Sequence, residues 1–152
     1  MNSPGYVLLL VAHTLCAVIG FGALGATGVS SARARAARAP YENEPLQRYF
    51  RPGLNLAGIA LWGIPIFGGL LLVVGDRAAV HRAYPWIGLG CWAVVLGLAT
   101  AVIWPEQHEL RTLFATRGDL GELRRRAMRC ERAVAVAVLV GLVALVAMLI
   151  EP

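Results

Sequence analysis

His13-Thr14-Leu15-Cys16-Ala17-Val18-Ile19-Gly20-Phe21-Gly22-Ala23-Leu24-Gly25-Ala26-Thr27-Gly28 is a glycine-rich apolar run with a single imidazole in it. In water its four glycines would each weaken a helix by about 1 kcal/mol relative to alanine. In a bilayer the same residues let neighbouring backbones approach closely. The run therefore reads as the central membrane helix, and the chain around it reads as an all-α integral membrane four-helix bundle.

Composition agrees. A chain of 152 residues that is 58% hydrophobic, with a mean hydropathy of +0.64, lies beyond the usual soluble range and is expected to turn apolar surface to lipid. All fourteen basic residues are arginine, which with the richness in Ala and Gly suggests a GC-rich bacterial genome and hence a bacterial plasma membrane. The net charge of +5 does not point to nucleic acid, because the arginines flank apolar spans and no soluble domain presents them. Cys16 and Cys91 lie in apolar runs and Cys130 beside arginines, so neither a disulfide framework nor a paired metal motif is visible. The first span is expected to stay in the mature protein, since Met1-Asn2-Ser3-Pro4-Gly5 lacks a basic residue and the apolar stretch exceeds the ~7–15 residues of a signal core.

Four spans are expected, at about 6–29, 54–74, 85–104 and 133–150, in a single transmembrane domain covering 1–152. On a helical wheel His13, Cys16, Ala17, Gly20, Ala23, Leu24 and Thr27 share one side, small and slightly polar, which should face other helices. Asn43 is placed to cap a helix beginning Glu44-Pro45. Pro52 and Pro65 should bend the second span, with Gly63 and Gly68 leaving room. Trp86 and Trp104 mark the two interfaces of the third, along which Ala93, Gly97 and Ala101 form a packing stripe of the small-xxx-small kind. Gly20, Gly63, Ala137 and Gly141 are further helix-packing positions. Asp119, with Glu122 three residues on, makes a capping-box-like start for a last helix that projects from the membrane before entering it.

The first connecting segment holds five arginines, the second two and the third seven. By the positive-inside rule the first and third are cytoplasmic, with both termini outside and the last helix extended on the cytoplasmic side. Arg124, Arg125, Arg126 and Arg129 are expected either to meet anionic lipid head groups or simply to fix this topology.

His13 is the only ionisable residue well inside a span, and such a residue is a functional hypothesis in its own right. It would ligate haem iron or copper, or hydrogen-bond a quinone. The plainer reading is a neutral imidazole bonded to a backbone carbonyl or to a hydroxyl such as Thr14 or Thr100. A copper site of His13, Cys16 and Cys91 is disfavoured because Cys91 lies off the small stripe. No P-loop, nucleophile elbow, HExxH pattern or dinucleotide fingerprint is present, so no catalytic or metal-ligating set is assigned.

An early first-helix His followed by Ala17-Val18-Ile19-Gly20-Phe21-Gly22, then Leu46-Gln47-Arg48-Tyr49-Phe50-Arg51 before a Gly/Pro-rich second helix, and a third helix closing on Trp104-Pro105, resembles a bacterial family of predicted four-helix integral membrane proteins of unknown function. That family is similar in layout to CopD-type copper-resistance domains and HemJ-type membrane proteins, in which an early first-helix His binds haem. The resemblance implies haem b as a cofactor for His13. Only His13 carries over: where the HemJ-like pattern has lysines in the first and third helices this chain has Leu10 and no lysine, and Gly20 replaces a Trp. The expected function is that of a non-catalytic accessory or assembly subunit, packed in the lipid bilayer against another membrane protein or a copy of itself. The alternative is a membrane redox protein that binds haem, copper or quinone through His13.

Overall fold

A computed structural model describes residues 4–51, 53, 55–75 and 81–150. The described residues form helices and no strand. Helix α1 is Pro4–Ala36, a 3-10 turn occupies Pro40–Glu42, α2 is Glu44–Tyr49, α3 is Leu56–Val74 and α4 is Tyr84–Leu98. A π turn, Ala99–Ile103, joins α4 to α5, Trp104–Thr116, and α6 is Leu120–Ile150. Four helices are long and apolar enough to cross a membrane: Pro4–Ala36, Ala57–Val74, Tyr84–Thr116 and Leu120–Ile150. Their outer surfaces carry bare Leu8, Val18, Ile59, Leu139 and Leu149, each more than 60% exposed. A water-facing helix would set polar side chains there. The chain is a multi-pass helical membrane protein. Pro52, the expected first residue of the second span Leu54, loop residues 76–80 and the terminal Glu151-Pro152 lie outside the described residues.

Two spans run further than their apolar content suggests. The Arg-Ala tract after Ser30-Ser31 continues α1 to Ala36, since Ala and Arg are strong helix formers. The third span was expected to stop at Trp104-Pro105, yet it continues to Thr116. The π turn explains this: the Trp104 N–H donates to Ala99 O, five residues back, so Pro105 falls in a first helical turn where its missing N–H is not needed. The inward-facing residues of this span are not the expected ones. Val95, Ala99 and Ile103 are fully buried, whereas the expected stripe of Ala93, Gly97 and Ala101 is exposed. Gly97 has nothing within 4 Å of where a Cβ would stand, so that stripe packs on no helix of this chain.

Side-chain caps define the other ends. Asn43 accepts from Leu46 N–H and Asn55 from Gly58 N–H. Asp119 Oδ2 accepts from Glu122 N–H at 2.7 Å, which starts α6 well before its apolar part. Helix α5 ends with Arg117 in the left-handed region, φ 51°.

The chain divides into two compact units. One comprises Met1–Ala23, Asn55–Val95 and Leu139–Pro152, the other Leu24–Leu54 and Leu96–Val138. In the first, α1 and α3 are antiparallel, and glycines set the closeness. A Cβ on Gly63 would lie 2.5 Å from Cys16 Sγ, one on Gly68 3.2 Å from His13 Cε1, and one on Gly20 3.4 Å from Leu61 Cδ2. Gly141 of α6 lies against the Phe21 ring in the same manner.

In the second unit the core is Leu24, Phe50, Leu110, Leu123 and Ala137. Phe50 stacks on Phe114 with ring centroids 4.8 Å apart, and Tyr41 meets the edge of Phe114. Gly28 packs against Val134. These contacts hold the short α2 against α5, and α1 against α6.

Candidate functional site

The chemistry of the first unit centres on Pro65. A proline inside a helix has no N–H to offer the carbonyl four residues back, which here is Leu61 O. That oxygen accepts instead from the indole Nε1–H of Trp92 at 2.8 Å. One turn further along, Ile64 O lies 2.9 Å from His13 Nδ1. A carbonyl only accepts, so Nδ1 carries a proton, and the neutral tautomer that this bond selects has its lone pair on Nε2. Nε2 has no hydrogen-bond partner among the described residues. Neither hydroxyl weighed above is the partner of His13: Thr14 donates to Leu10 O and Thr100 to Leu96 O.

His13 is half-buried and forms part of the wall of a cavity of about 630 Å³. Leu10, Pro65, Gly68, Trp92 and Met148 line it with His13, and Tyr6, Tyr84 and Trp86 also contribute. Gly68 is the residue that admits the imidazole, because any side chain there would meet Cε1 and Nδ1. Two features were not legible from spacing alone. Met148 lies far from His13 by helix depth yet shares its cavity, and Trp92 was not singled out at all. The proline in α3 and the indole facing it were the available signal.

The residues present do not fit haem b well. His13 offers one ligand, but among the described residues the cavity wall holds no Arg or Lys for the anionic propionates. For copper, Cys16 Sγ lies against Gly63, and no three His, Cys, Asp or Glu side chains are gathered among the described residues.

The expected helix-packing residues separate into two groups. Gly20, Gly63 and Gly141 lie at close helix contacts in the first unit, and Ala137 is fully buried in the second. Ala93, Gly97 and Ala101 face outward. Three of the four arginines expected at lipid head groups or as topology determinants also make ion pairs within the second unit. Arg126 reaches Glu122 at 2.7 Å, Glu106 at 3.1 Å and Glu109 at 3.9 Å. Arg125 pairs with Glu122 at 2.6 Å and Arg129 with Glu106 at 3.7 Å, while Arg124 is exposed. The physical reason is helical spacing: Glu122 lies one turn before Arg125 and Arg126, and the extension of α5 past Pro105 brings Glu106 and Glu109 to them.

No protein-family model, no curated protein and no solved structure matches the chain. The fold and site define a class only, a four-span helical membrane protein with a histidine at an apolar cavity.

Proposed function

We propose that the chain binds a neutral, largely apolar ligand bearing a hydrogen-bond donor, of the quinol class, in the cavity beside His13. The observation that carries this reading is the His13 Nδ1 bond to Ile64 O. It leaves Nε2 as an acceptor in the wall of a space whose size falls within the ~300–1,000 Å³ of ligand sites. A quinol hydroxyl would donate to Nε2, and its ring and tail would lie against Pro65, Trp92 and Leu10. The chain binds and does not catalyse in this reading. The test is quinol retention by the full chain in nanodiscs, followed by quenching of tryptophan fluorescence and by extraction. His13→Leu should abolish retention and His13→Gln should keep part of it. Equal retention by His13→Leu overturns the proposal, and a Soret band lost in that variant would assign the site to haem instead.

A second reading rests on the outward stripe of Ala93, Gly97 and Ala101. Small residues bare on a membrane helix let another helix approach closely, which supports an accessory or assembly subunit docked on a second membrane protein or on a copy of itself. Crosslinking in membranes through Ala93→Cys or Ala101→Cys tests it, and a chain that yields no adduct at either position sinks it.

For the membrane itself we infer a bacterial plasma membrane with both termini outside, supported by twelve arginines in the first and third connecting segments against two in the second. Thiol labelling of intact cells should reach Ala83→Cys and spare Thr116→Cys, and the reverse pattern would invert the orientation.

A further inference from the structure

The second unit contains a cavity of about 380 Å³ of its own. Its polar lining is Arg51, His108, Arg111, Thr112 and Gln47, and its apolar base is the stacked pair Phe50 and Phe114. Among the described residues no carboxylate lines it. The acidic residues nearest in sequence are committed elsewhere: Glu106 and Glu109 to Arg126, and Glu44 to Arg48. Arg51, Arg111 and His108 have no ion-pair partner among the described residues. Arg111 also lines the space, and its Nε is buried with no hydrogen-bond partner among the described residues, so the rest of its guanidinium is what the cavity can use. Gln47 is held in place by its own bond to Tyr41 O, so the wall is built and not a loose surface cluster.

We propose that this cavity binds a phosphate group, taken from an anionic phospholipid head group or from free phosphate. Two guanidinium forks with no opposing carboxylate are the arrangement that recognises phosphate oxygens by charge-assisted bonds. Thr112 Oγ1 already donates to His108 O, which leaves its lone pairs and keeps the donor work with the arginines. Position in the chain favours the lipid: Arg51 shortly precedes the apolar segment Ala57–Val74, and Arg111 follows the interfacial Trp104 by two helical turns.

The test uses the full chain. In nanodiscs of phosphatidylcholine with a minority of phosphatidylglycerol, native mass spectrometry should find phosphatidylglycerol retained on the protein. Arg51→Gln or Arg111→Gln should each reduce that retention about tenfold, while Arg38→Gln, exposed and outside the cavity, leaves it unchanged. Should Arg111→Gln fail to fold, the exposed Arg51→Gln carries the comparison. In a second arm, inorganic phosphate is titrated onto delipidated protein in neutral detergent at constant ionic strength. A melting point raised by phosphate and unresponsive in Arg51→Gln assigns the site to diffusible phosphate. A response to phosphatidylglycerol alone assigns it to a head group. No response to either ligand, or equal losses in Arg51→Gln and Arg38→Gln, overturns the proposal.

Discussion

Trp92 donates its indole N–H to Leu61 O at 2.8 Å, the carbonyl that Pro65 leaves without its in-helix donor. The two residues belong to α4 and α3, so a defect within one helix becomes a bond between two. Trp92→Phe keeps the ring but not the donor. It should cost on the order of 1–2 kcal/mol, because a buried acceptor in an apolar setting loses its partner. Combined with Pro65→Ala, which restores the in-helix N–H, the same change should cost less. Equal costs in both backgrounds, read by thermal unfolding in detergent, would show that the bond does not compensate for the proline.

Glycines with different surroundings should respond differently. Gly63→Ala places a Cβ 2.5 Å from Cys16 Sγ and should cost about 1–3 kcal/mol through overpacking, much of it recovered by adding Cys16→Ala. A Cβ at Gly97 would meet nothing within 4 Å, on a helix face that is exposed, so Gly97→Leu has room. The melting of the isolated chain should be unchanged, and any effect should appear only in association, measured by size-exclusion with light scattering.

Glu106 is 8% exposed and depends on Arg126 at 3.1 Å, with Arg129 only at 3.7 Å. Arg126→Ala leaves a shielded carboxylate with its poorer partner and should destabilise by on the order of 1–2 kcal/mol. Arg125→Ala, which breaks an exposed pair with Glu122, should leave melting unchanged. A reversal of that order would place the weight of the arginine run elsewhere.

Alkaline pH should loosen the second unit. Burial pushes the Tyr49 phenol above its ordinary value, assisted by Cys130 and opposed by the Thr27 hydrogen bond and Arg111. Tyr41 is likewise raised by burial and then by Asp119. In both cases folding favours the protonated form. Their contribution is therefore complete below the unfolded value, about 10, and is lost as pH rises through the higher folded values. The unfolding midpoint should fall across that range, and the fall should be shallower in Tyr41→Phe with Tyr49→Phe.

The helical fold was legible because its signals are local. Apolar runs of membrane length, Asn43 and Asp119 ahead of their helices, and the small side of α1 can each be read without knowing any partner. What resisted reading depends on register between distant segments. The stripe Ala93, Gly97, Ala101 is evenly spaced, but which face of α4 meets its neighbours is set by those neighbours, and Val95 and Ala99 take that face. The arginine run appears as bare charge in sequence, since its neutralisation by Glu106 and Glu109 requires α5 to continue past a proline. His13 was visible as a candidate, but Ile64 as its partner was not, because any backbone carbonyl looks the same in sequence.

The separation of His13 from Ile64 matters during synthesis. Ile64 lies 51 residues after the imidazole that it will accept from, and at ribosomal rates of about 5–20 residues per second it appears roughly 3–10 s later. For that interval α1 holds a polar ring with its permanent acceptor not yet made. Left alone in hydrocarbon, the ring would carry an unmet donor. The two helices are thus suited to leave the insertion machinery as a hairpin, with α1 waiting at its watery edge until α3 arrives.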